Sequence, residues 1–284
     1  MDTTTTRHTA GDGRWFQSST NGLKNEVNGY IQDAYKALPK LEGKVLGSVA
    51  PHAGFRYSGP TAGFSVAALL KDSETNGKPD VVFILGFSHS AHFEYAAIMD
   101  GAAIKSPICT SKIDTDAINI FMKDRPNMKL KYNPHNGEHS AENEIPFVQV
   151  AFPETKVVMV LIGTHKAQVF KEVSDGLLEV SKTRKMYVVA SSDMLHDEDF
   201  NLVEKTDRVT ADLTENVDFD GLLKNWSYEN QIFCGITAVV PLMMYCKAVG
   251  CKKAITADLT NSEKVTGKRN SGWVVGYGAF IFVL

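Results

Sequence analysis

One pattern constrains the fold of this chain more than any other. Four times a short apolar, β-branched run ends in small residues and then in a polar, reactive side chain. Lys44 to Ala50 leads into Pro51-His52-Ala53-Gly54, and Val81 to Leu85 leads into Gly86-Phe87-Ser88-His89. Lys156 to Ile162 leads into Gly163-Thr164-His165, and Met186 to Ala190 into Ser191-Ser192-Asp193-Met194-Leu195-His196. Strands without polar alternation are buried on both faces, which points to a largely parallel sheet covered by helices. Helical spacing separates the runs at Pro60 to Leu70, Thr115 to Lys123, Glu142 to Val150 and Lys166 to Ser181. Another helix is expected from Asn21 to Leu38, ended by Pro39. In an open α/β sheet the ligand site lies outside the carboxyl ends of the strands. His52, His89, His165 and the Asp193/His196 pair are therefore expected at one rim.

Bulk composition narrows the function classes. With 30 Lys+Arg against 33 Asp+Glu the net charge is −3, so nothing in the overall balance favours a nucleic-acid partner. No apolar run approaches the roughly 18 residues of a membrane helix; the longest, Thr237 to Cys246, is interrupted by Pro241. Met1 to His8 is a polar threonine tract without the charged-then-apolar pattern of a signal peptide. Residues 1–13 read as a disordered tail, and 14–284 as one domain, because composition shifts nowhere sharply. Four scattered cysteines make no disulfide scaffold, so a reducing cytoplasmic setting is expected. There is no GxGxxG, GxxxxGK[ST], HExxH, GxSxG or EF-hand loop, which removes support for nucleotide-dependent and serine-hydrolase readings.

Each candidate residue has a structural reading beside a functional one. Pro51 stiffens the backbone just before His52 and Gly54 removes bulk beside it, as suits an oriented ligand or a tight strand-end turn. His89 in GFSHS is equally a turn residue or a ligand. Asp193 and His196 are three apart: if the chain coils there, the carboxylate can orient the imidazole as an acid or base. The alternative is helix N-capping by Ser192 or Asp193. Cys234, followed by Gly235 and flanked by apolar residues, is a core residue unless it faces the histidines, where a cation would favour thiolate. Glu138-His139-Ser140, with Glu142 and Glu144, reads as a helix cap, or alternatively as a substrate-facing or metal-supporting turn. The glycines at 276 and 278, in a strand expected over 272–284, mark a bulge or a close backbone approach.

Seven motifs taken in order carry a resemblance: WF at 15–16, PHAGFRYSGP at 51–60, ILGFSH at 84–89, EHSAENEIPF at 138–147, SSDMLH at 191–196, FCG at 233–235 and VVGYGA at 274–279. Together they resemble the Memo family, related in fold to the class III extradiol ring-cleaving dioxygenases. The resemblance implies an α/β three-layer sandwich with a central, mostly parallel or mixed sheet flanked by helices. It implies metal ligands at His52, His89 and Cys234, and a pocket acid/base pair at Asp193 and His196. It implies a transition metal as cofactor, iron(II) or copper first with zinc possible, and thiolate softness shifts the preference toward copper or zinc. The chain departs from the family pattern at Phe87, Glu144 and Met194, and in GITAVV after Cys234.

Two functions compete on this basis. One is metal-dependent redox or dioxygenase-like chemistry on a small substrate, or metal homeostasis. The other is a non-catalytic signalling adaptor that takes a partner's (phospho)peptide in the pocket. A metal-free remnant with ordinary turn histidines is the bland reading. The expected partners are a small molecule or a signalling protein, with no nucleic acid and no membrane insertion, and a homodimer is allowed.

Overall fold

The computed structural model describes residues 1–284. Its elements run β1 (Thr6–His8), α1 (Thr20–Ala37), β2 (Val45–Ala50), α2 (Phe55–Asn76), β3 (Val81–Phe87), β4 (Ala96–Ile98), β5 (Ala103–Lys105), β6 (Thr110–Lys112), α3 (Thr115–Met122) and β7 (Met128–Leu130). They continue as α4 (Ile145–Ala151), β8 (Lys156–Ile162), α5 (Ala167–Ser181), β9 (Met186–Ser191), β10 (His196–Asp197), α6 (Phe200–Glu215), α7 (Phe219–Asn225), α8 (Ile236–Ala248), β11 (Lys253–Asn261), α9 (Ser262–Thr266) and β12 (Val274–Val283).

The four apolar runs are β2, β3, β8 and β9, adjacent and parallel in the order β2-β9-β3-β8. β3 shows why these strands show no polar alternation: Val81 through Leu85 are all 0% exposed, because helices cover both faces. Antiparallel additions make the sheet mixed. β12 lies against β2, with β11 and β10 beyond it, and β4 lies against β8 with β7 outside. The result is a nine-stranded sheet flanked by helices, the expected three-layer α/β sandwich, around one apolar cluster of 70 buried residues. No helix is long and apolar enough to cross a membrane.

The helices follow their local chemistry. Ser19 caps α1, accepting from Gly22 N, and Leu23, Val27, Ile31 and Ala34 form its buried stripe. α2 begins earlier than expected, at Phe55, and takes Pro60 into its second turn. Gly63 allows α1 and α2 to touch, since a Cβ there would lie 2.6 Å from the Tyr30 carbonyl oxygen.

Several expectations need correction. Residues 1–13 do not trail as a disordered tail. Thr6–His8 pairs in parallel with Ala103–Lys105, and the buried Glu142 carboxylate accepts from Ala10 N (2.6 Å) and Gly11 N (2.8 Å). Backbone donors with fixed partners hold a terminus that its polar composition alone would leave loose. The SSDMLH segment does not coil into a capped helix. Ser191 ends β9, His196 begins β10 against β12, and α6 starts only at Phe200, capped by Asp199. In β12 the glycines mark close approach rather than a bulge: a Cβ on Gly276 would sit 1.8 Å from Asp207 Oδ2, while the register shifts fall elsewhere.

Candidate metal centre

The carboxyl ends of β2, β3 and β9 deliver His52, His89 and Asp193 to one rim. Three imidazoles meet there: the ligand nitrogens of His52, His89 and His139 all lie within 4.8 Å of one another. His139 comes from the turn between β7 and α4. It is sandwiched between Trp15, stacked at 4.1 Å and 8°, and His89, stacked at 4.3 Å and 16°. Cys234 joins at the His52 edge, with Sγ 3.6 Å from Nε2.

Two of the three imidazoles are held from behind by hydrogen bonds. His89 donates its backbone N–H to Glu138 Oε2 (2.6 Å), and its Nδ1 lies 2.8 Å from Oε1. With Nδ1–H given to this carboxylate, Nε2 carries the lone pair. Burial works against the charge of Glu138. The hydrogen bond and charge of His89, with the N–H groups of Ser140 and His89, nevertheless hold it down at about 2. His52 Nδ1 lies 3.0 Å from Ser191 Oγ, and that hydroxyl donates to Glu144 Oε1 at 2.9 Å. Because the hydroxyl proton goes to Glu144, Ser191 accepts from His52 Nδ1–H and leaves Nε2 as the acceptor facing Cys234. A carboxylate or hydroxyl behind a ligating imidazole is the usual device that fixes its tautomer and ring orientation.

Burial favours the neutral form of two of the three imidazoles. Burial, then the charges of neighbouring imidazoles, push His52 well below the ordinary histidine range and His139 down to about 3. Neutral imidazoles with converging lone pairs are what a transition metal requires. Burial and the charge of Asp193 push the Cys234 thiol up, so without a cation it stays protonated; a bound metal reverses that preference. The donor set therefore fits a metal ion.

Asp193 acts mainly on the backbone. Its Oδ1 accepts from His52 N (2.8 Å) and Ala53 N (3.2 Å), clamping the turn that presents His52. His196 Nε2 is 3.9 Å from Oδ2, near enough to feel the carboxylate but beyond a hydrogen bond. Asn143 Nδ2 completes the clamp by donating to His52 O at 2.6 Å. Glu138 and His139, left open by the sequence, are now placed: one orients His89, and the other contributes the third imidazole. Glu144, read from the sequence as part of a helix cap or a metal-supporting turn, stands behind Ser191, which contacts His52.

Beside the cluster a cavity of about 270 Å³ is lined by His89, Cys234, Phe87, His165, Trp226 and Tyr228, among others. His165 therefore reaches the rim, but it packs on Trp226 (centroids 4.2 Å apart) rather than joining the imidazole cluster. His92 is exposed at the mouth of the cavity.

Comparison with known proteins finds similar chains. A MEMO1 family protein of Nitrosopumilus maritimus is 27% identical over 95% of this chain and 97% of its own length. One from Pyrobaculum aerophilum is 28% identical over 95% and 96%, and one from Methanopyrus kandleri is 29% identical over 83% and 82%. The crystal structure of an uncharacterised Escherichia coli K12 protein superposes with a TM-score of 0.47 at 11% identity, covering 76% of this chain and 91% of that one. The family profile described as Memo-like protein matches residues 7–281, from the first strand to the last, and the chain belongs to that family.

Proposed function

We infer that this chain is a transition-metal protein that carries out redox, dioxygenase-like chemistry on a small substrate. His52, His89 and Cys234 would hold the ion, and His139 would close the remaining side. The observation that carries this reading is the convergence of three imidazoles, with a thiol 3.6 Å from one of them. Iron(II) or copper suits a mixed nitrogen and sulfur donor set with an open position, and zinc follows. When bound, such an ion supplies Lewis acidity and electron transfer.

The chain's own residues do the rest. The small cavity beside His89 and Cys234 admits a compact substrate, and Phe87 and Trp226 give it apolar walls. His196, with Nε2 3.9 Å from the Asp193 carboxylate, would serve as the acid or base. Its volume of about 270 Å³ favours a small molecule over a bound peptide segment as the occupant.

The test is elemental analysis of protein purified without an immobilised-metal step, alongside His52→Ala, His139→Ala and Cys234→Ala variants. Stoichiometric iron or copper that falls at least tenfold in His52→Ala supports the reading, and oxygen uptake with a reductant then tests the chemistry. Equal metal content in wild type and His52→Ala sinks the site. Loss in His139→Ala but not in Cys234→Ala would replace the thiol with the third imidazole.

A further inference from the structure

On the far side of Trp15 lies a second, larger cavity of about 580 Å³ that the metal centre does not use. Its lining includes three cations, Arg14, Arg56 and Lys268, and no acidic residue. None of the three is in an ion pair, although ion pairs occur elsewhere on the surface. Arg14 and Arg56 instead lie over aromatic faces, 5.2 Å from the Trp15 ring and 4.9 Å from the Tyr57 ring.

The backbone adds to the same sign of charge. The N-terminus of the 22-residue helix α2 opens on this cavity through Ala53, Gly54 and Arg56, with no side-chain cap and no acidic residue in its first turn. A helix N-terminus carries a partial positive charge, so an arginine in the first turn is the wrong sign for the chain alone. Such local conflicts concentrate where a ligand resolves them. A buried side chain points the same way. Tyr277 is 1% exposed and lines the cavity. Its hydroxyl makes none of the molecule's side-chain hydrogen bonds, so it is a free donor at the cavity wall. Across from it Trp273 is 54% exposed, an unusual waste of a large apolar surface unless something flat covers it.

We propose that this cavity binds a small aromatic anion, its ring stacked on Trp273 and its carboxylate or phosphate held by Arg14, Arg56, Lys268 and the Tyr277 hydroxyl. The volume suits a molecule of mononucleotide size or smaller. None of the three clustered imidazoles lines this cavity, and binding itself needs no metal.

The experiment is calorimetric titration of the full, chelator-treated chain with two probes, adenosine 5′-monophosphate and benzoate, which separate a phosphate from a carboxylate source. Adenosine and inorganic phosphate serve as controls lacking the charge or the ring. Saturable binding of either probe, weakened at least tenfold in Arg56→Gln and in Trp273→Ala, supports the site. The probe preferred assigns the anion. His52→Ala should bind the same probe within twofold, which keeps this result separate from the fate of the metal centre. Both substituted residues are exposed, and circular dichroism verifies that the variants fold. The proposal is overturned if neither probe saturates. It is also overturned if adenosine or inorganic phosphate binds as tightly, or if both variants bind like wild type.

Discussion

Glu144 offers a direct test of how the imidazole cluster is supported. It is 0% exposed, gives one oxygen to Ser191, and has no partner at Oε2. Burial first, and then the charge of Asp193, push its carboxyl up from 4.5 to about 8 against the Ser191 hydrogen bond. Between those values the folded carboxyl keeps a proton that the unfolded chain has released. The folded state binds more protons, so this group's contribution to stability falls as pH rises. At about 1.4 kcal/mol per pH unit, the whole displacement from 4.5 to about 8 corresponds to about 5 kcal/mol. Glu144→Gln keeps the acceptor for Ser191 and fixes the neutral form, so this pH dependence disappears. From about pH 5 to about pH 7.5 the variant should gain about 3 kcal/mol relative to wild type. Urea unfolding of both metal-free chains at several pH values measures it. Glu142 and Asp207, each pushed up by burial to about 7, titrate in the same window but are common to both chains and cancel in the difference. The vacant position at Oε2 passes to the amide nitrogen and adds only a constant offset. If the two stability curves run parallel within about 0.5 kcal/mol, Glu144 is charged in the folded protein and the inference about its environment is wrong.

Other expectations follow from the same contacts. Gly86→Ala would place a Cβ 2.6 Å from Ser140 Oγ and 2.8 Å from Ala141 N, lifting the Glu138–Ser140 turn off β3; metal content should fall further than thermal stability, as analysis of matched samples will show. Glu138→Gln removes the carboxylate behind His89 and should weaken metal affinity by about 10- to 100-fold with little loss of fold, read by competition with a chromophoric chelator. Gly63→Ala forces α1 and α2 apart at the Tyr30 carbonyl and should cost about 2–4 kcal/mol in urea unfolding. Phe83→Ala, in the middle of the fully buried β3, should cost about 3–5 kcal/mol in the same assay.

Strands β2, β3, β8 and β9 were legible because burial on both faces leaves a mark on each residue of the run, independent of its neighbours in space. Their strand-end histidines and Asp193 followed from the parallel arrangement. Two local readings failed for one shared reason. The polar N-terminus and the SSDMLH turn were judged from propensity, whereas Glu142 and β12, distant in sequence, supply the hydrogen bonds that decide their conformation. His139 was visible only as part of a polar turn. Its place as third imidazole depends on a stack with Trp15, 124 positions away along the chain.

The sequence by itself determined the layers, the parallel centre of the sheet and the rim at which reactive groups gather, since hydrophobic burial follows residue type along a strand. Only the tertiary structure decided which groups meet there. It put His139 beside His52 and His89, turned Asp193 into a clamp on the His52 backbone, and set Glu144 behind Ser191. Those choices rest on hydrogen-bond direction and ring stacking between remote segments, and no local pattern encodes contacts of that kind.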